Sequence, residues 1–429
     1  EPFLNEVIAK EEIDVLLDEK IFNNIVKYYS DGNYGTVNEY MEENLLIKGN
    51  NLIALHSIKA KFLNSFDVIY IDPPYNVTSS NNTFIYNNNF NHSSWLTFMK
   101  NRLDVAKDLL KKEEGVLIVA IDDNEVNYLG VLLDEIFKDG YEKHMITVVH
   151  NPRGVQGTNF SYSHEYLYFV FPQGKKLIED RELSEDEISY TNLRNWGGES
   201  LRSDGRNTFY PIKVDVKTNE IIGFGAILED DIHPNQTEIK NGIAYVYPID
   251  NKGIERKWRY ARQTIESVKD MLKAVKKNNN TYEIMIGKNF GQYKTVWQSP
   301  KYDASVHGKQ LLGRLVPNND FSFPKSVYAV YDALKAVIKN RKNAKVLDFF
   351  SGSGTTAHAV QMLNKEDNGN RKYVMIEQMP YIRTIQIDRL LSEDESKLND
   401  DFIYMELMEK NKGFIDAIRK CETQHDIDQ

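Results

Sequence analysis

Residues Phe66–Asn76 read FDVIYIDPPYN. Phe66, Val68, Ile69, Tyr70 and Ile71 form a short apolar run bounded by polar residues, the pattern of a strand buried on both faces of a parallel sheet. Pro73 and Pro74 can neither continue a hydrogen-bonded ladder nor enter a helix interior, so the chain must leave the sheet as a stiff loop. That loop presents the Asp72 carboxylate, the Pro73 carbonyl and the Tyr75 ring at the carboxyl end of a strand, where open α/β sheets bind ligands. Taken without its context, Asp-Pro-Pro is equally compatible with a rigid turn capped by its aspartate.

Downstream, helical periodicity over Trp95–Leu110 and Glu125–Phe137 alternates with apolar runs at Val116–Ile121, Met145–Val149 and Tyr166–Phe171. This alternation predicts a parallel sheet with helices on its faces. The Asn-rich segment from Asn76 to Asn91, with Phe84, Tyr86 and Phe90 interleaved, reads either as a surface loop or as a lid over a target group.

A second strand-to-loop junction lies far along the chain. The apolar run Ala344–Phe350 feeds Ser351, Gly352, Ser353, Gly354 and Thr355, and then a helix. The glycines let the backbone approach a ligand closely, and the helix start offers N–H groups that lack partners within the helix. Glu377 closes the next predicted strand, where an acidic side chain suits a ribose diol. A nicotinamide dinucleotide would fit this turn, but Asp348 would repel its pyrophosphate. For a cationic sulfonium with a methionine ammonium the same carboxylate is attractive, so the chemistry favours S-adenosyl-L-methionine.

The 429 residues suffice for two or three domains, and 41% hydrophobic with 27% charged residues describes an ordinary soluble globular chain. No stretch approaches the roughly 18 apolar residues of a membrane span, and no secretory signal pattern opens the sequence. The single cysteine, Cys421, excludes a disulfide framework and a cysteine-based zinc site, and it fits a reducing cytosol; no metal is expected. Net charge is -10, yet residues 191–345 hold 26 Lys/Arg against 16 Asp/Glu. There Arg202, Arg206, Lys257, Arg259 and Arg262 interleave with Trp258 and other aromatics, a composition suited to phosphate contact and base stacking. An ordinary domain with solvated charges is the competing explanation.

Together these motifs resemble the permuted β-class DNA amino-methyltransferases. The similarity is strongest to the modification subunits of type III restriction-modification systems, through IDPPYN, HSSWLTFMKNRL, IDDNE, SHEY, the Lys257–Tyr260 segment and FPKS, while DFFSGSGTT is shared more widely. The resemblance implies a Rossmann-like methyltransferase sheet with helices on both faces, circularly permuted, carrying an inserted mixed target-recognition domain. It divides the chain into a helical appendage (1–44), a catalytic half (45–179), a recognition region (180–320), a cofactor half (321–400) and a helical tail (401–429).

The implied reaction is methyl transfer to the N6 amine of a flipped-out adenine. Asp72 and the Pro73 carbonyl would accept the amine protons, Pro74 would stiffen the loop, and Tyr75 would stack on the base. The implied cofactor residues are Asp348, Phe349, Phe350, Ser351, Gly352, Ser353, Gly354, Thr355 and Glu377. Lys325 of FPKS joins them, as does Asn50, which stands where the family usually carries an aspartate toward adenosine. The implied partners are double-stranded DNA, a second copy of the chain and a restriction subunit, in a bacterial or phage-infected cytoplasm and without a membrane. A cytosine amino-methyltransferase and a non-catalytic recognition subunit are the alternatives, and a protein-glutamine methyltransferase would show Asn at position 72.

Overall fold

The computed structural model describes residues 22–37, 42–76, 91–277, 280–392 and 400–408. The chain forms two compact units, one built from Glu1–Glu179 with Lys294–Gln429 and the other from Asp180–Tyr293.

Among the described residues eleven strands make the main sheet of the larger unit. In chain order they are β1 (Phe22–Tyr28), β2 (Tyr34–Thr36), β3 (Asn44–Lys48), β4 (Val68–Ile71), β5 (Val116–Ile121), β6 (Tyr141–Val148), β7 (Glu165–Pro172), β8 (Val296–Trp297), β9 (Lys345–Asp348), β10 (Lys372–Glu377) and β11 (Phe402–Leu407). Their spatial order is β8-β6-β7-β5-β4-β9-β10-β3-β11-β1-β2. The centre, β5-β4-β9-β10-β3-β11, is parallel throughout. Every residue of β4 and β5 is buried, which is why these strands read as continuous apolar runs rather than as alternation.

Helices α1 (Asn51–Phe62), α2 (His92–Leu109), α3 (Val126–Ile136), α4 (Val327–Ile338) and α5 (Thr355–Asp367) supply the crossovers. In α2, Trp95, Met99, Leu103, Ala106 and Leu109 are all buried, the three-and-four spacing that turns one helical face into the core. They join Ile69, Leu117, Leu347 and Ile376 in one apolar cluster beneath the sheet.

Four expectations change. Strand β7 runs antiparallel to β5 and β6, not parallel. The stretch between β6 and β7 holds only a two-residue hairpin, Val155–Gln156 with Ser161–Tyr162, and a parallel return needs a longer crossover. The inserted unit ends at Tyr293 rather than 320, because Val296–Trp297 already pairs with β6. The tail expected to be helical over 401–429 begins as β11, held between β3 and β1; residues 409–429 lie outside those described. Likewise the helical appendage is β1 and β2 where described, while Ile13, Leu16, Leu17 and Ile21 fall outside.

The inserted unit carries a four-stranded antiparallel sheet (Ile221–Phe224, Ile212–Asp215, Ile243–Val246, Thr237–Lys240) and a three-stranded one (Thr191–Asn192, Tyr282–Ile286, Leu272–Lys276). Its core gathers Leu193, Tyr210, Ile212, Val246, Trp258 and Tyr282. A short tight turn of helix, Ile265–Met271, leads into a hairpin strand. Leu272 to Lys276 pairs with Ile286 to Tyr282, and Asn280 at φ 60 helps to close the turn between them.

Candidate active site

The strand ends decide what meets what. Val346 pairs with Val68 and Leu347 with Ile69, so the loop after β4 and the glycine turn after β9 leave the sheet side by side. Asp72 follows β4, Asp348 ends β9, Glu377 ends β10 and Asn50 follows β3, all along one carboxyl edge. Because β7 is reversed, its first residue, Glu165, reaches the same edge, beside Val148 of β6.

Around Asp72 four ionisable side chains converge from three parts of the chain. The Lys325 ammonium donates to Glu165 Oε2 and to the Tyr75 hydroxyl, and it lies 3.3 Å from Asp72 Oδ1. The Tyr75 hydroxyl is 3.2 Å from Glu165 Oε2 and donates to it. Burial raises the Asp72 carboxyl above the ordinary aspartate range, and Lys325 opposes that rise without cancelling it. For Glu165 burial also pushes upward, but Lys325 and His150 outweigh it and its carboxyl ends below the usual range. Burial would lower Lys325; Asp72 and Glu165 more than offset it, so the amine is held protonated. Burial lowers His150 below the usual imidazole range, against the pull of Glu165. Asp122, at the end of β5, is pushed up to about 6 by burial.

The loop itself is tied down. Trp95 Nε1 donates to the Pro74 carbonyl at 2.8 Å, fastening the prolines to α2. Asn76 Nδ2 reaches Glu125 Oε1 at 2.6 Å, and His92 Nδ1 reaches the same oxygen at 2.9 Å. Glu125 therefore joins both ends of the segment expected to be a lid; residues 77–90 themselves lie outside those described.

The glycine turn is equally fixed. Buried Asp348 accepts the Phe350 N–H at 3.0 Å and the Thr356 hydroxyl at 2.6 Å. Its carboxyl is pushed up to about 7 by burial, against both donors. The Gly352 N–H donates to Glu377 Oε2 at 3.0 Å, and Gly352 sits at φ 50. Ser351 is held to the Ile376 carbonyl, Phe349 O accepts from Asn51 Nδ2 at 2.7 Å, and Arg389 donates to Ser353 and Thr355. Gln386 Nε2 binds Ser351 Oγ and the Gly352 carbonyl, leaving its Oε1 buried with no hydrogen-bond partner among the described residues. Two carboxylates flanking a left-handed glycine turn, with a buried amide oxygen still to be satisfied, fit a cationic nucleoside better than a pyrophosphate.

Two expected cofactor residues make protein contacts of their own. Asn50 caps α1, its Oδ1 accepting from Leu52 N at 3.0 Å and Ile53 N at 3.4 Å. Lys325 lies on the Asp72–Tyr75 loop rather than on the glycine turn. Sequence reasoning singled out SHEY but missed Glu165, Gln386 and Arg389 as site residues. Glu165 sits just before an apolar strand, the only local cue to its placement.

The six expected DNA-binding residues separate into two groups. Trp258 is buried, with Nε1 donating to the Tyr210 carbonyl at 2.8 Å. Arg202 spends its guanidinium on Ile232 O and Glu255, and Arg262 spends its own on Gly225 O and Phe224 O. These three hold the inserted unit together. Arg206, Lys257 and Arg259 face outward more, through a long ion pair to Asp230 (3.6 Å), a 3.4 Å contact to Asp204 O and a bond to Thr191. The charge excess also moves: residues 180–293 hold 17 Lys/Arg against 18 Asp/Glu, whereas 294–345 hold 10 against 3. The basic surplus therefore belongs to the unit that carries the site.

The prolyl-aspartate loop and the glycine turn thus leave adjacent parallel strands at the carboxyl edge, where open α/β sheets bind ligands. The chain belongs to the DNA methylase family of N6 and N4 enzymes, whose model matches residues 66–388. It is 31% identical to a probable type III restriction-modification enzyme HindVI Mod subunit of Haemophilus influenzae, over 505 aligned positions covering 100% of this chain and 63% of that protein. It is 30% identical to the type III restriction-modification enzyme EcoPI Mod subunit of Escherichia phage P1, covering 78% and 57%. Against the type II methyltransferase M.KpnI of Klebsiella pneumoniae identity is 29%, covering 77% and 79%. The chain spans less than two thirds of the length of either Mod subunit. Among the described residues no helix is long and apolar enough to cross a membrane, and no group of three or more His, Cys, Asp or Glu could hold a metal ion.

Proposed function

We propose that this chain methylates the exocyclic N6 amine of a flipped-out adenine in double-stranded DNA, with S-adenosyl-L-methionine as donor, as the modification component of a restriction-modification system. The observation that carries this is the side-by-side exit of the Asp72 loop and the glycine turn from neighbouring parallel strands. When bound, the cofactor supplies an electrophilic methyl group on a sulfonium. Asp348 and Glu377 flank the turn that would hold it.

An adenine amine is a poor nucleophile because its lone pair is conjugated into the ring. Asp72 and the Pro73 carbonyl accept hydrogen bonds from its two N–H groups, draw the nitrogen toward tetrahedral geometry and expose the lone pair, and the nitrogen sheds one proton only after the methyl group has moved to it. Positioning and a preformed negative environment lower the barrier, with no prior proton removal. Tyr75 stacks on the extruded base, and its hydroxyl bonds to Lys325 and Glu165 fix the ring. Activity is tested by transfer of labelled methyl groups to DNA, and adenine rather than cytosine is the expected acceptor.

Cofactor binding should depend on pH. Asp348, at about 7, is half protonated near neutrality. A bound cation favours the carboxylate, so binding releases a proton and affinity should rise from pH 6 to 8, by at most about tenfold per unit. Calorimetry at the two pH values checks this; equal affinity would remove Asp348 from the site.

Arg206, Lys257 and Arg259 contact DNA phosphates. Replacing all three with alanine should reduce the slope of log affinity against log salt by about three, at roughly 0.9 per contact. An unchanged slope would place the footprint elsewhere, with the basic 294–345 stretch as the next candidate. A second copy of the chain and a restriction subunit complete the proposed assembly; sedimentation of a 49.7 kDa monomer on and off DNA would contradict the first.

A further inference from the structure

We infer that Lys325, anchored by the buried Glu165, is the counter-charge that keeps Asp72 a carboxylate and aims it, with Tyr75, at the target amine. The inference rests on the methyl-transfer function proposed above and assigns Lys325 to the catalytic loop rather than to the cofactor.

A lysine ammonium has three N–H donors. Here Glu165 Oε2, the Tyr75 hydroxyl and Asp72 Oδ1 take one each. No donor is left for a ligand carboxylate. The Tyr75 hydroxyl accepts from Lys325, so its own proton turns to Glu165 Oε2, closing a ring of contacts across the β4 loop, the start of β7 and the segment before α4. The Lys325 and Glu165 side chains are nearly enclosed, at 14% and 6% exposed, whereas Asp72 opens further, at 27%. The accessible carboxylate is thus the one left to meet a substrate.

The charge balance has a purpose. Two carboxylates and one ammonium leave one net negative charge where positive charge develops on the attacked amine. Without Lys325, two carboxylates would share a dry site and one would take up a proton. Asp72 would then donate rather than accept, and the amine would lose its partner. Besides Lys325 and Glu165, the charged and titratable groups facing Asp72 among the described residues are Tyr70 on β4, Tyr75 on its own loop, Asp348 on β9 and His150 after β6.

The two partners should act with opposite sign. Lys325→Met should move the acid limb of the turnover-pH profile upward by about 1–3 units, with activity recovering in alkali. Glu165→Gln should move the same limb downward, because one repelling carboxylate is gone. Lys325→Arg should keep the wild-type limb, and calorimetry should give unchanged cofactor affinity in all three. Limbs that stay put, or that shift in the same direction, would overturn the inference. So would a Lys325→Met protein that loses cofactor affinity while its limb stays put, which would return the residue to the cofactor. An unaltered chain that transfers no methyl group would overturn the proposed function itself, and this inference with it.

Discussion

Replacing Asp72 with alanine is expected to abolish turnover while sparing both the fold and cofactor affinity. Loss of one charged acceptor aimed at the reacting amine slows chemistry by about 100- to 1000-fold. The fold should survive because Lys325 keeps Glu165 and Tyr75 as partners, so no buried charge is orphaned. Cofactor affinity should survive because the glycine turn is pinned separately, by Thr356, Glu377 and Gln386. Single-turnover methyl transfer, a thermal melt and calorimetry measure the three quantities. Full activity would reduce FDVIYIDPPYN to a strand and a turn.

The second large effect is expected at Gly352. Its φ of 50 lies where side chains are strained, and an added Cβ would sit 3.3 Å from the Phe321 ring. Tryptophan there must displace that ring or unfold the turn, and either disturbs the Gly352 N–H bond to Glu377. Calorimetry on Gly352→Trp should show cofactor binding gone, with the Asp72 loop intact. Undiminished affinity would remove the glycine turn from the cofactor site.

The two anchors of the site were legible because each depends on local chemistry. Prolines end a strand wherever they occur, and glycines permit a left-handed turn without help from distant residues. Phe66–Ile71 and Ala344–Phe350 read as buried strands because both faces are apolar. Which strands lie beside them was less accessible. Phe402–Leu407 is a six-residue run whose apolar pattern suits a helix or a strand, and only its pairing with β3 and β1, far away in sequence, decides it. Reversal of β7 has the same origin, and it alone brings Glu165 to the site edge.

Charged residues were the hardest to place. Arg202, Arg262 and Trp258 share the composition of a nucleic-acid surface, yet their polar atoms satisfy carbonyls inside the inserted unit. Lys325 stands 250 residues from Tyr75, and nothing local distinguishes an ammonium bound to a cofactor from one bound to a catalytic loop. Buried pairing of this kind follows from the assembled sheet edge rather than from any window of sequence.

The central claim is methyl transfer to an adenine amine accepted by the Asp72 loop. Its most direct measurement incubates the purified chain with tritiated S-adenosyl-L-methionine and unmethylated genomic DNA, then digests the DNA to nucleosides and separates them. Label in N6-methyldeoxyadenosine, absent with Asp72→Ala, is the predicted result. Label in methyldeoxycytidine, or undiminished label with Asp72→Ala, would contradict it.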